Sequence, residues 1–347
     1  MSNYWQEMID KLDIIIPAYK ASKKLQQTIF SFGSEYCYHF IIVVDGPDGV
    51  DYLSELSLFN NIHDITIYTL DENHGPGIAR NVGIEKATRD LVTFVDSGDT
   101  LVGTIQFNNY IKQAIDHPEY YMLSAAHYEE QNNTLQNVAP VHNRMHGKVF
   151  RRNFLEKYHL RFNPECARMN EDIGINMTAR MICKELSLQD GKDHVCHYTD
   201  PLICWKNDPD SITRRNDCAF YYKENNMGLA KNGGYAIKMA KAHNVRDAII
   251  EDQIYSILIS LFNFYFATKN FRPEFLDEQE EGAIYFVKDI MENREINYPK
   301  FVFFYNQEMA GTYAQNWNPF TVKIPDMTFM QWYDMIKEKA KNYKIDK

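Results

Sequence analysis

Four apolar runs, each closed by polar residues, follow one another in the first hundred positions: "LDIIIPAY" (12–19), "FIIVVDG" (40–46), "ITIYTLDEN" (65–73) and "LVTFVD" (91–96). Helical-period stretches stand between them, "ASKKLQQTIFSF" (21–32) and "GPGIARNVGIEKAT" (75–88). A strand that is apolar at successive positions is buried on both faces. Such strands alternating with helices predict a mainly parallel sheet covered on both sides. Ligands of these sheets collect outside the carboxyl ends of the strands. Pro17, Ala18, Tyr19, Asp45 and Asp96 are therefore expected along one edge.

After Asp99 the pattern changes. "YYMLSAAHYEEQ" and "TLQNVAPV" read as strands, antiparallel to each other. "HGKVFRRNFLEKYHLRFNP" reads as a short strand and then a helix from near Arg152. "NEDIGINMTARMIC" is an amphipathic helix with acids in its first turn, where the helix dipole favours them. "DHVCHYTDPLICWKN" gives one or two further strands. From about Asn216 the chain reads as helical. Two domains are expected: an α/β domain over 1–215 and a helical C-terminal domain over 216–347.

The net charge of -10 offers no general field for nucleic acid or anionic membrane. Aromatics reach 14%, which fits a large core or an aromatic-lined ligand surface. Cys37, Cys166, Cys183, Cys196, Cys204 and Cys218 contain no C-x-x-C pair and read as reduced thiols of a cytoplasmic protein. "HVCH" at 194–197 alternates as a strand does, with no second ligand cluster beside it. The N-terminus lacks a signal-peptide core. The longest apolar candidate, "AIIEDQIYSILISLFNFYF", is broken by Glu251 and Asp252, so it reads as a buried helix with no membrane span.

Four places could carry chemistry. Asp96 and Asp99, separated by Ser97 and Gly98, make good turn chemistry. They equally suit Mn2+ or Mg2+, which take oxygen ligands and share them with substrate phosphates. Glu171 and Asp172 open a helix, as capping residues or as a general base. Arg80 lies in a Gly-rich helix start, either as a solvated cation or as a phosphate contact. Arg214 and Arg215, in "DSITRRND", form a polar loop or a diphosphate contact.

In this order the segments resemble the family-two inverting glycosyltransferases with a GT-A fold. The resemblance rests on "IIIPAY", "IIVVDGPDG", "GPGIARNVGIEKA", "FVDSGDTL", "HGKVFRRNFL" with "LRFN", "NEDIGIN" and "DSITR", and covers roughly 12–215. It implies a GT-A domain that binds a nucleotide-sugar donor, usually of UDP. Pro17, Ala18, Tyr19 and Asp45 would hold the base and ribose. Arg80 would face the diphosphate, with Ser97, Arg214 and Arg215 as further donor contacts. Asp96 and Asp99 would carry the metal, and Asp172, beside Glu171, would be the catalytic base. The chain departs from the family at Gly98, where the usual DxD has its second Asp, so the motif is D-x-x-D. No second acid directly follows Asp45, although Asp48 is close. The expected acceptor is a glycan or cell-surface polymer. Nucleic acid, meaning a hydroxylated base of phage DNA, is the weaker alternative; it rests on the basic, aromatic segment 212–243. The C-terminal helices are expected to bind acceptor or to join copies of the chain. Two other readings remain: a degenerate sugar-nucleotide-binding module, and a nucleotidyltransferase.

Overall fold

The computed structural model describes residues 2–131, 134–140, 143–206, 219–314 and 327–345. Their contacts divide into two compact units, Met1–Asp208 and Pro209–Lys347.

In the first unit nine strands form one sheet: β1 (Leu12–Ala18), β2 (His39–Val44), β3 (Asp64–Thr69), β4 (Leu91–Phe94), β5 (Thr100–Leu101), β6 (Met122–Gln131), β7 (Thr134–Val138), β8 (Lys148–Arg151) and β9 (Val195–Trp205). Their order is β3-β2-β1-β4-β8-β6-β9-β5, with β7 beside β6. The first four strands pair in parallel, as their continuous apolar runs require. β8 runs antiparallel between β4 and β6, and β7 is antiparallel to β6. "DHVCHYTDPLICWKN" is a single strand, β9, parallel to β6 with irregular register near Ala126.

The helices of this unit are α1 (Ser2–Ile9), α2 (Ser22–Ser31), α3 (Tyr52–Glu55), α4 (Pro76–Lys86), α5 (Thr104–Asp116), α6 (Arg152–Lys157) and α7 (Glu171–Asp190). Side chains alternate across the sheet. Ile14, Ile16, Phe40 and Ile42 face one layer with Leu25 and Ile29 of α2, Phe32 just after it, and Phe107 of α5. Phe32 sits edge-on to Phe40 at 5.1 Å and to Phe107 at 5.6 Å. Ile15 faces the other layer, against α4. A Cβ added to Gly83 would lie 2.3 Å from the Ile15 side chain, so α4 lies closer to β1 than any other residue there would allow.

At the amino ends of the strands a fully buried carboxylate ties the sheet together. Asp13 Oδ1 lies 2.5 Å from His39 Nδ1 of β2. Its Oδ2 accepts the Thr88 and Arg89 amides at 2.7 and 2.9 Å, at the approach to β4.

The second unit holds α8 (Ala219–Ala242), α9 (Asp247–Phe271), α10 (Leu276–Phe286) with a π-helical turn at Val287–Met291, α11 (Tyr298–Ala314) and α12 (Phe329–Lys341). Its core is aromatic. Phe262 of α9 meets Trp332 at 5.3 Å, and Phe301 stacks on Phe329 at 4.1 Å. Phe329, Trp332 and Ile336 of α12 are buried within this unit. α8 carries most of the basic, aromatic segment, and three of its lysines have partners within the unit. Lys223 pairs with Glu281 at 3.1 Å and Lys238 with Asp289 at 2.7 Å, while Lys231 lies 5.7 Å from the Tyr285 ring centre. No helix among the described residues is long and apolar enough to cross a membrane.

Burial alone would raise the Asp13 carboxyl, but the His39 hydrogen bond and the two amides outweigh it and hold it below the usual carboxylate range. A depressed carboxylate stabilises the fold above its unfolded pKa of about 3.9, and that contribution fades as pH falls through the folded value. Asp13→Asn is expected to cost about 2–3 kcal/mol at pH 7 in urea unfolding. The cost should shrink below about pH 4, where the unfolded carboxylate begins to take up protons, and vanish once pH falls below the lower folded value. A pH-independent difference would refute the assignment.

Candidate functional site

The carboxyl end of β4 sets the site. Val95 donates its amide to Ile15 O at 3.1 Å, and the chain then turns. The Asp99 amide donates to Asp96 O at 3.0 Å, closing the turn across Ser97 and Gly98. Gly98 has φ +109°, a conformation a side chain resists. An Asp at that position, as in DxD, would be strained. Thr28 of α2 clamps the turn: its hydroxyl donates to Asp99 O at 2.8 Å and accepts from the Gly98 amide at 2.9 Å. The turn and the paired acids are one structure. The turn gathers Asp96 and Asp99 with His146, and the ligating atoms of all three lie within 4.8 Å of one another.

Arg80 reaches the same place from α4. Its guanidinium is buried; Nη2 donates to Asp96 Oδ1 and Nη1 to Glu171 Oε1, each at 2.6 Å. The Arg80 side chain is 3% exposed, whereas Asp96 is 41% exposed. Arg80 is thus a clamp joining α4, the β4 turn and α7. Phe162 lies under the guanidinium at 5.3 Å, and Asn81 holds the Phe162 backbone through two hydrogen bonds of 2.9 and 2.8 Å. Glu171 opens α7 with Asp172 behind it. Asp172 is half-buried and accepts the Met145 amide at 3.0 Å.

Asp45 follows β2, and its two carboxylate oxygens accept the His74 and Gly75 amides, both at 2.8 Å. It anchors the entry to α4. Asp48 accepts the Lys20 amide at 2.6 Å and the Tyr52 hydroxyl at 2.7 Å. Pro17 and Ala18 are buried at the end of β1, and Tyr19 beyond them is exposed. Ser97 lies half-buried in the turn. Arg214 and Arg215 fall outside the described residues.

The electrostatics follow from the packing. Burial raises the Glu171 carboxyl to about 7, helped by the Asp172 charge and opposed by Arg80. Desolvation opposes ionisation of Asp96, yet the Arg80 and His146 charges hold it below the usual range. Desolvation raises Asp99, partly offset by His146. Lys148 is fully buried beside β6, donates to Ser124 Oγ at 2.6 Å, and is pushed down to about 7 by burial and by the Arg180 charge.

Sequence reasoning missed His146. The only available signal was its place directly before Gly147 in "HGKVFRRNFL", next to the strand that β4 pairs with.

Known proteins bear on this geometry. Residues 13–172 match the model of glycosyl transferase family 2. An uncharacterized glycosyltransferase of Haemophilus influenzae is 38% identical over 92 residues, 25% of this chain and 36% of its own length. Glycosyltransferase GlyA of Streptococcus pneumoniae is 31% identical over 91 residues, 26% of this chain and 13% of its own. The chain thus matches about a third or less of these relatives. Among solved structures, S. aureus TarS 1-349 in complex with UDP superposes with a TM-score of 0.60 at 14% identity, covering 97% of this chain and 94% of that one. The same TarS fragment in complex with UDP-GlcNAc gives 0.61. The fold is GT-A-like, with a helical C-terminal region.

The Arg80 clamp predicts a specific instability. Arg80→Met leaves Asp96 and Glu171 without their shared cation and is expected to cost about 3 kcal/mol or more in urea unfolding. Adding Glu171→Gln should recover part of that loss, because it removes the more buried of the two uncompensated carboxylates. A double variant no more stable than Arg80→Met would count against the clamp.

Proposed function

We propose that this chain, which carries a glycosyl transferase family 2 domain over residues 13–172, moves a sugar from a nucleoside-diphosphate donor to an acceptor hydroxyl with inversion. UDP is the proposed nucleotide. The observation that carries this reading is the Arg80 guanidinium lying 2.6 Å from both Asp96 and Glu171. Through it the acids that end β4 and the acids that open α7 share one place, although they are far apart in sequence. The UDP and UDP-GlcNAc complexes of TarS, which shares the fold, support the choice of donor.

The residues fit a divalent cation. Asp99 is 4% exposed, and its carboxylate converges with Asp96 and His146, the ligating atoms lying within 4.8 Å of one another. Asp96 and Asp99 would hold Mn2+ or Mg2+, hard ions suited to carboxylate oxygen. When bound, such an ion offsets the negative charge that develops on the leaving diphosphate. Arg80 keeps Asp96 ionised and adds fixed positive charge beside it. Asp172, oriented by the Met145 amide, takes the proton from the acceptor hydroxyl. The freed oxygen attacks the anomeric carbon opposite the departing diphosphate and inverts it. Pro17, Ala18, Tyr19 and Asp45 lie at neighbouring strand ends, where the base and ribose would sit.

A glycan or polymer is the proposed acceptor. The acid partners of Lys223 and Lys238 weigh against the nucleic-acid alternative, because phosphate binding needs cations not already matched by acids. A degenerate binding module would leave Asp99 away from Asp96; the closed turn instead keeps them together. A nucleotidyltransferase would release pyrophosphate, and a product assay separates it from a glycosyltransferase, which releases the nucleoside diphosphate.

Asp172→Asn is expected to melt like wild type and to lose transfer by at least about 100-fold. An unchanged rate would remove Asp172 from the mechanism. Asp99→Ala should weaken UDP-sugar binding measured calorimetrically with Mn2+ and leave metal-free binding unchanged. Equal Mn2+-dependent affinity in both proteins would refute its role.

A further inference from the structure

We infer that His146 is a third protein ligand of the cation held by Asp96 and Asp99, and that its imidazole makes the site favour Mn2+ over Mg2+. This inference rests on the metal reading above and adds a residue and a selectivity to it. His146 Nε2 is buried 3.2 Å from Asp99 Oδ2, at ion-pair distance. His146 Nδ1 is also buried without a hydrogen bond. With Asp96, these atoms lie within 4.8 Å of one another, so one carboxylate from each Asp and one ring nitrogen can reach the same cation.

The ring is also fixed in place. His127 stacks on it at 5.0 Å with planes 22° apart, and Trp205 lies 5.4 Å away on a tilted plane. Trp205 is in turn covered by the Arg144 guanidinium at 4.9 Å. His146 immediately follows Met145, whose amide holds Asp172. One short segment therefore carries both an imidazole for the ion and the support for the proposed base. Ligands held by their surroundings bind metals more tightly and more selectively than mobile ones.

The selectivity follows from the donor set. Mg2+ takes oxygen almost exclusively and gives up water reluctantly. First-row transition ions accept imidazole nitrogen, with affinity rising from Mn2+ along the series. Two carboxylates alone would discriminate weakly between Mg2+ and Mn2+. Adding a nitrogen favours Mn2+.

Pulsed electron paramagnetic resonance of the full chain loaded with Mn2+, with and without UDP, tests this directly. Wild type should show modulation from a directly bonded nitrogen that changes on 15N-histidine labelling. His146→Gln should lose that signal. Calorimetry with MnCl2 and MgCl2 should show Mn2+ affinity falling at least about 10-fold in His146→Gln, with Mg2+ affinity changed less. Absence of ligated nitrogen in Mn2+-loaded wild type, with binding still lost in Asp99→Asn, would overturn the role of His146 and leave the carboxylate site standing. Mn2+ binding that is absent from wild type, or indifferent to Asp99→Asn, would remove the metal reading itself and this inference with it.

Discussion

A guanidinium cannot be taken out of water without carboxylates to meet it, and Arg80 governs this molecule for that reason. Desolvating a charge costs several kcal/mol, which only close and well-aligned partners offset. Arg80 has two such partners, drawn from different parts of the chain. To supply them the β4 turn and the first turn of α7 must both come to α4. This charge requirement therefore positions the site. Burial by itself favours loss of the Arg80 proton, and the Asp96 and Glu171 charges reverse that effect and raise its pKa.

The clamp could not hold if α4 were free to shift. Two contacts prevent that. Gly83 lets the helix sit directly on Ile15, and Asp45 binds the amides at the helix entry. The carboxylate at the end of β2 thus fixes the start of the helix whose middle carries Arg80. The same acid that the family resemblance assigns to the nucleotide does structural duty here. The two roles are compatible where a ligand meets the edge of a carboxylate already oriented by backbone amides, since such hydrogen bonds keep it ionised and still.

How much was legible in the sequence depended on whether a feature was local. The parallel half of the sheet could be read because Leu12–Ala18, His39–Val44 and Leu91–Phe94 are apolar at successive positions, and only burial on both faces explains that. The turn at Asp96–Asp99 could be read from its own residues. The Arg80 partners could not be. An Arg in a helix carries no mark of which distant carboxylate it meets. His146 was harder still, because its meaning comes from β8 pairing beside β4, a tertiary fact with no period in the sequence. The apolar residues of α12 were legible as apolar but not as covered. What covers them is Phe262 and Phe301, which lie on other helices.

The Gly98 departure illustrates why motif spacing is a weaker guide than backbone geometry. With an acid at position 98, a tight turn with positive φ would be strained, and the chain would need another path out of β4. Moving the acid one position along and placing glycine at the strained position keeps the turn. The second carboxylate then arrives from the residue whose amide closes that turn, Asp99. What the site needs is two carboxylates on one side of a clamped turn. A D-x-x-D sequence with glycine third meets this on the turn seen here. It also directs Asp99 inward, where it is more buried than Asp96 and meets His146.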